Sequence, residues 1–193
     1  MQFTQLCRRV RDRLGQTHRY AHCVRVARLA DRLAQIHGED PGKARLAGML
    51  HDLARLYSNT ELIEQALTRA LPVSKFERAH PILLHARLGA EIAREEFAIT
   101  DEAVLSAISK HTVADAQMSG LDCVVYLADG LEPGRRFPER AALEQLAMWD
   151  MKAAMRETIA QSLQFLILHG IAPAPQTLAA AAAFQEVPTA RVT

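Results

Sequence analysis

Residues 47–52 read Ala47-Gly48-Met49-Leu50-His51-Asp52, an apolar stretch that ends abruptly in a histidine and an aspartate. Upstream, Asp40 and Pro41 form an N-cap followed by a first-turn proline, so the sequence predicts a helix that runs directly into this dipeptide. Neighbouring side chains on a helix diverge by about 100°, but near a helix end both can reach one site. By itself the dipeptide is weak evidence, since a helix C-terminal histidine beside a solvated acid would explain it as well.

Three more histidines and one more aspartate lie on or beside the core-facing stripes of separate predicted helices. A single histidine on an apolar face is usually a core residue whose nitrogens are hydrogen-bonded. A common metal site explains the whole set better. Imidazoles and carboxylates together are suitable ligands for iron, manganese, cobalt or zinc bound where several helices converge. The candidate metal ligands are His22, His51, Asp52, His85, His111 and Asp129.

Helical periodicity and capping signals recur along most of the chain, and strand-like alternation persists nowhere, which predicts an all-α helical bundle. We expect one domain over residues 1–170, and a tail over residues 171–193 with a short alanine-rich helix as an option. Helices are predicted from about Arg19 to Gly38, from Pro41 to His51-Asp52, after the capping box Ser58–Glu61, from Pro81 to about Phe97, after Asp101, from about Leu121 to Asp129, and from Pro138 to His169 as one helix or two.

Three basic residues could add positive charge beside the candidate ligands and so bind an anionic group. Arg55 lies three residues after Asp52, so a helical turn can direct it toward the same site. Lys110 and Arg135 are the other two, and for each of the three the alternative is an ordinary surface charge. Asp52, Arg55, Lys110 and Arg135 therefore form the predicted catalytic set.

His18 and His22 form an i, i+4 pair that offers a rival metal site on one helix. We rank this pair lower, because His18 is expected to precede the helix and to lie at the mouth of the pocket. His80, directly before Pro81, is expected in a loop.

The order of the six candidate ligands resembles the H…HD…H…H…D signature of the HD-domain metallophosphohydrolases. The flanking words add to it: Arg19-Tyr20-Ala21-His22, Ala47-Gly48-Met49-Leu50-His51-Asp52, Leu83-Leu84-His85, Lys110-His111-Thr112 and Leu127-Ala128-Asp129-Gly130-Leu131-Glu132-Pro133-Gly134-Arg135. Together they are similar to the YqeK-type symmetrical bis(5′-nucleosyl)-tetraphosphatases over about Arg19 to Arg136.

The resemblance implies an HD fold with two divalent metal ions, commonly iron, held by the six matching residues. It implies a nucleotide substrate, diadenosine tetraphosphate, which a metal-activated hydroxide cuts into two ADP molecules. Arg55 stands where the family has lysine in an HD-x-x-K word, a change that keeps the charge. Ala86, Val113 and Ala114 replace a glycine and a Thr-Gly pair common in the family, so the substrate pocket is expected to be narrower.

Two alternatives stay open at this point. The same metal ligands would serve another HD-type phosphohydrolase, such as a nucleotidase or a phosphodiesterase acting on a cyclic or alarmone nucleotide. A nucleotide-binding HD protein without turnover is the second, although such a scaffold would not need so many buried polar groups.

Composition limits the remaining classes. The chain has 49% hydrophobic and 23% charged residues and a formal net charge of +1, which is typical of a globular protein with no global affinity for nucleic acid or membranes. Cys7, Cys23 and Cys123 are expected to be free thiols in a reducing compartment. The arginine-rich N-terminal stretch does not match a secretory signal, so a cytoplasmic location is expected, and a homodimer is left open.

Overall fold

The structure is a computed structural model that describes residues 2–15 and 18–185. Within these ranges the secondary structure is helical throughout and contains no strand, which confirms the predicted all-α fold. The α-helices are α1 (Phe3–Leu14), α2 (His18–His37), α3 (Pro41–Leu50), α4 (Asn59–Thr68), α5 (Lys75–Ala79), α6 (Leu84–Phe97), α7 (Glu102–Lys110), α8 (Gly120–Leu131), α9 (Arg140–Trp149), α10 (Met151–Leu168) and α11 (Pro175–Gln185).

The helix starts follow the predicted capping residues. The Asp40 carboxylate accepts a hydrogen bond from the Lys43 amide at 3.0 Å, and Pro41 occupies the first turn of α3. Ser58 and Glu61 form the predicted capping box of α4. Each cap satisfies amide groups that the first helical turn leaves without a partner, so these starts are fixed by local chemistry.

Close packing of α2 against α3 forms the centre of the molecule. A Cβ atom added to Gly48 would lie 2.9 Å from the Cα of Ala27, so only glycine permits this approach of the two backbones. α8 packs against both helices, and α6 and α7 pack against α3 and against each other. The helices that carry the candidate ligands therefore meet around one core.

One predicted helix differs in detail from the observed one, and for another stretch the structure selects between the two alternatives that the sequence left open. Pro81 starts a 3₁₀ turn, Pro81–Leu83, and the α-helical geometry begins only at Leu84. The stretch from Pro138 to His169 contains two helices, because Asp150 ends α9 in an extended conformation and caps α10 by accepting from the Ala153 amide at 2.9 Å.

The alanine-rich helix α11 packs on α10, and its Thr177 hydroxyl donates to the Val113 carbonyl at 2.8 Å. The domain division after residue 170 stays a prediction, and residues 186–193 of the expected tail lie outside the described residues. Cys7, Cys23 and Cys123 are free thiols. None of the described helices is both long and apolar enough to cross a membrane.

Candidate metal centre

Six polar side chains from five helices or their ends meet in the core. Each of the four histidines is at most 5% exposed, and Asp52 is 3% exposed. The structure thus brings together all six residues that the sequence marks as candidate ligands. They come from α2 (His22), the end of α3 (His51 and Asp52), α6 (His85), the end of α7 (His111) and the last turn of α8 (Asp129).

Three of the four imidazoles are oriented in the same way. In each, the Nδ1–H group donates a hydrogen bond to the backbone carbonyl three residues earlier. The ring proton is therefore on Nδ1, and the lone pair of Nε2 is available to a metal ion. The bonds are His51 to Gly48 (2.8 Å), His85 to Ile82 (2.5 Å) and His111 to Ile108 (2.7 Å). The Nε2 atoms consequently face the centre of the cluster in a fixed orientation.

His22, His51 and Asp129 form the first group of facing ligand atoms. The His22 Nε2 atom lies 3.2 Å from the His51 Nε2 and 2.9 Å from an Asp129 oxygen. The His51 Nε2 lies 3.7 Å from the same oxygen. Two imidazole nitrogens and a carboxylate oxygen thus surround one small volume, which is a donor set suited to a divalent transition metal.

Asp52, His85 and His111 form the second group, and Asp52 connects it to the first. The Nε2 atoms of His85 and His111 lie 3.2 Å apart, and Asp52 Oδ1 lies 3.5 Å from that of His85. The other oxygen, Asp52 Oδ2, lies 3.6 Å from the Nε2 of His51 in the first group. One carboxylate therefore presents one oxygen to each group, as expected for a ligand that bridges two cations.

The protonation states favour cation binding. Burial opposes ionisation of Asp52, but the surrounding imidazoles, first that of His51, lower the pKa of its carboxyl to about 2. Burial and then the charge of His111 lower the pKa of His85 to about 4, and burial followed by His51 lowers that of His111 to about 4. At neutral pH the carboxylate is ionised and both imidazoles are neutral, which are the forms that bind metals.

His22 is held by Glu132, a carboxylate directly after α8 that was not predicted as a site residue. Its Nδ1 is 3.0 Å from Glu132 Oε1, and Glu132 in turn accepts from Arg25 at 2.5 Å and from the Gly134 amide. Glu132 is 2% exposed, and although burial opposes it, the bonds from Arg25 and His22 lower the pKa of its carboxyl to about 2. The sequence feature that could have indicated this role is the position of Glu132, directly after the helix that carries Asp129.

Two further neighbours of Asp52 were not predicted as site residues. The Arg19 guanidinium donates to Asp52 Oδ2 at 3.0 Å. Cys23 forms a third group of facing ligand atoms with His51 and Asp52, within 4.8 Å of one another. Burial raises the pKa of the Cys23 thiol well above its usual value, so the sulfur faces the centre as a neutral group.

The three predicted basic residues lie in different surroundings. Arg135 donates to the Asp129 carboxylate at 2.5 Å and to its carbonyl at 2.9 Å, which places its guanidinium beside the first group. Arg55 is half-buried near Asp52 and Asp129, and burial, followed by the charge of Arg19, lowers its pKa. Lys110 instead donates to Asp122 at 3.0 Å and to the Gln117 carbonyl at 2.6 Å, at the start of α8.

Two of the other histidines bond to backbone carbonyls outside the cluster. His37 donates to the Ala147 carbonyl at 2.6 Å, and His80 bonds to the Phe76 carbonyl at 3.0 Å while its ring stacks on that of Phe76. Among the described residues, His18 belongs to none of the groups that could hold a metal ion. The geometry thus favours the cluster of six over the His18–His22 pair.

The comparison with protein-family models finds the HD domain over residues 19–134, a range that contains all six candidate ligands. HD domains are metal-dependent, and the groups described above are able to bind metal. The match ends before α9, so the last three helices lie outside it.

Curated relatives and a solved structure extend the match. A protein of Halalkalibacterium halodurans is 35% identical over 84% of this chain and 86% of its own length, and one of Bacillus subtilis is 34% identical over 78% and 80%. Both are named "Bis(5'-nucleosyl)-tetraphosphatase, symmetrical". The crystal structure of a predicted HD superfamily hydrolase from Clostridium acetobutylicum superposes with a TM-score of 0.91 at 31% identity, over 95% of this chain and 97% of that one.

The order of ligands, the helical architecture and these similarities agree, and the chain belongs to the HD-domain hydrolase family, in the branch that contains the symmetrical bis(5′-nucleosyl)-tetraphosphatases.

Proposed function

We propose that this chain is a metal-dependent hydrolase that cleaves diadenosine tetraphosphate symmetrically into two ADP molecules. The observation that carries the proposal is the arrangement of two groups of facing ligand atoms that Asp52 connects, in a chain whose relatives bear the name of that activity. The paired groups match the architecture of two-metal phosphatases. The substrate assignment comes from the relatives.

The donor set supports an assignment of the residues that would hold the cations. His22, His51 and Asp129 would bind one divalent ion, His85 and His111 the other, and Asp52 would contact both. Iron is our proposed occupant, with manganese, cobalt or zinc compatible with the same imidazole and carboxylate ligands. When bound there, such ions lower the pKa of water and neutralise charge on phosphoryl oxygens.

Three arginines would hold the polyphosphate. Arg19 and Arg135 lie against Asp52 and Asp129, and the Arg55 guanidinium has no hydrogen-bond or ion-pair partner within residues 2–15 and 18–185. Burial lowers the pKa of Arg55 most, and the charges of Arg19 and Arg135 lower it further against the opposite effect of Asp52 and Asp129. A polyphosphate bound beside Arg55 would offset this repulsion and supply charge-assisted acceptors. Lys110, engaged with Asp122, stays the weakest of the predicted phosphate contacts.

The reaction itself is a hydrolysis with a simple balance of atoms. The oxygen of water forms a bond to one of the two central phosphorus atoms while the bond from that same phosphorus to the central bridging oxygen breaks. The bridging oxygen departs with the bonding electrons as part of ADP, and the water protons are released or taken up by that product. Arg55 and Arg135 would orient the chain of phosphates so that the central bridge is the bond presented for attack.

Separation of the products by anion-exchange chromatography tests this proposal. Purified anaerobically and loaded with ferrous ion, the protein should convert one diadenosine tetraphosphate into two ADP. The products ATP and AMP would contradict symmetrical cleavage. A panel that adds nucleoside monophosphates, a cyclic nucleotide and an alarmone nucleotide ranks the rival HD chemistries by kcat/KM.

A further inference from the structure

A cavity of about 900 Å³ opens next to the metal centre, at the side where α8 ends. Much of its wall comes from residues after 134, where the HD-domain match ends, including parts of α10 and α11. Its volume falls within the range of about 300–1,000 Å³ typical of small-molecule sites, and its lining is mostly apolar. The segment after residue 134, which showed no functional motif in the sequence, therefore builds much of a recess beside the ligands.

We infer that this cavity binds one nucleoside end of the substrate, with the base lying against Phe165 and Phe137; the inference rests on the proposed function. Two residues connect the cavity to the metal centre. Thr112 lines it and has its hydroxyl oxygen 3.0 Å from the His111 Nε2, and Arg135 lines it while donating to Asp129. A nucleotide with phosphates at the metal centre would thus extend its base into the cavity.

Aromatic rings supply the surface that a base requires. Phe137 is partly buried in the wall, and Phe165 stands at the rim with 56% of its surface exposed. On another side the ring of His80 stacks on Phe76, with centroids 4.4 Å apart. The His169 ring packs against that of Phe165 with centroids 4.1 Å apart, and part of the Phe165 ring stays exposed. A nucleobase gains free energy from stacking on aromatic side chains, so a base would cover this exposed part.

Two polar side chains at the cavity indicate which base edge fits. Glu139 and Gln161 both line it, and the Gln161 amide nitrogen donates to the Glu139 carboxylate at 2.9 Å. That bond leaves the Gln161 carbonyl and a second Glu139 oxygen as acceptors. Acceptors match the exocyclic amino group of adenine, whereas the keto group of hypoxanthine would face them without a donor. The site therefore favours adenosine over inosine.

Binding of two partial ligands separates this inference from the catalytic proposal. We expect Phe165→Ala to weaken the affinity of the full chain for adenosine by about tenfold, the effect of losing one base–aromatic stack. Its affinity for inorganic pyrophosphate, measured on the metal-loaded protein, should not change. The matched control is Trp149→Ala, because Trp149 is an aromatic residue of α9 that is 85% exposed and does not line the cavity. Isothermal titration calorimetry measures both ligands.

Each outcome decides the inference without deciding the activity. Absence of adenosine binding to the unaltered chain, or equal adenosine affinities for Phe165→Ala and Trp149→Ala, would overturn it even if diadenosine tetraphosphate is cleaved. Weakened adenosine binding in a chain that does not cleave that substrate would support the cavity and refute the proposed function. Gln161→Leu should lower the ratio of adenosine to inosine affinity several-fold, and an unchanged ratio would remove the base-edge assignment.

Discussion

The metal centre and the nucleoside cavity adjoin, yet they are built by different means. The metal centre consists of six residues with rare chemistry, each fixed by hydrogen bonds within the core. Most of the cavity wall comes from ordinary side chains after residue 134, some of them on α10, and several of these side chains are exposed. The comparison indicates that metal ligands can be recognised in a sequence from their residue types. The shape of a ligand-binding cavity depends on how helices pack, which is difficult to predict from a single sequence.

Removal of the bridging carboxylate should break the metal centre and spare the cavity. Asp52→Ala removes the carboxylate that presents one oxygen to each ligand group, so we expect kcat for diadenosine tetraphosphate to fall at least about 10³-fold, since metal-ion stabilisation amounts to several kcal/mol. Metal content measured by plasma mass spectrometry should fall as well. Adenosine affinity should stay unchanged. Asp31→Ala, outside the cluster, is the control, and full activity in Asp52→Ala would refute the assigned ligands.

A substitution of Glu132 tests how strongly metal affinity depends on the residue that orients the ligand His22. Glu132→Gln keeps the size of the side chain but loses the charge that orients His22 and pairs with Arg25. We expect metal affinity, measured by competition with a chelator, to fall about 10–100-fold. Glu144→Gln, on α9, is the matched control. An unaltered metal affinity in Glu132→Gln would show that His22 needs no such partner.

A substitution of Arg55 tests whether the polyphosphate is bound by a residue that neither holds the metal ions nor binds the base. Arg55→Gln removes a charge that we assign to the polyphosphate, so kcat/KM should fall at least about tenfold, the free energy of one charge-assisted hydrogen bond. Metal content and adenosine affinity should both be retained. Arg55→Lys should recover part of the loss. The same loss in Arg45→Gln, whose partner is Asp31, would mean that the effect reflects general charge and not the site.

The smallest expected effect is a change in the free energy of unfolding on substitution of Ala114. Its φ of 59° lies in the left-handed region, which is unfavourable for a residue with a Cβ atom. Ala114→Gly should therefore raise the free energy of unfolding by about 1 kcal/mol, as measured by urea denaturation. Ala160→Gly, in the exposed interior of α10, should lower it by about the same amount. Destabilisation by Ala114→Gly would contradict the backbone argument.

Much of the fold could be predicted from the sequence, because its signals are local. Capping residues such as Asp40 and Ser58 define where helices start, and the apolar stripes place His22, His85 and His111 toward the core. The 3₁₀ turn at Pro81 was missed because a first-turn proline is compatible with either kind of helix. The break at Asp150 was left open because good helix formers lie on both sides of it.

Parts of the site depend on contacts between distant residues and were not predictable in the same way. The carboxylate of Glu132 reaches His22, 110 residues away in the chain, and nothing in a single sequence reports such a pair. The cavity is a similar case, because Phe137 and Phe165 line it together only when α10 packs beside α8. The metal identity, the cytoplasmic location and the homodimer stay predictions.

Anomalous X-ray scattering from a crystal grown anaerobically with ferrous ion is the most direct test of the central claim. The account predicts two iron peaks about 3.5–4 Å apart, with one oxygen of Asp52 beside each and the Nε2 atoms of the four histidines around them. A single peak away from Asp52, or no peak within the cluster of six side chains, would contradict it.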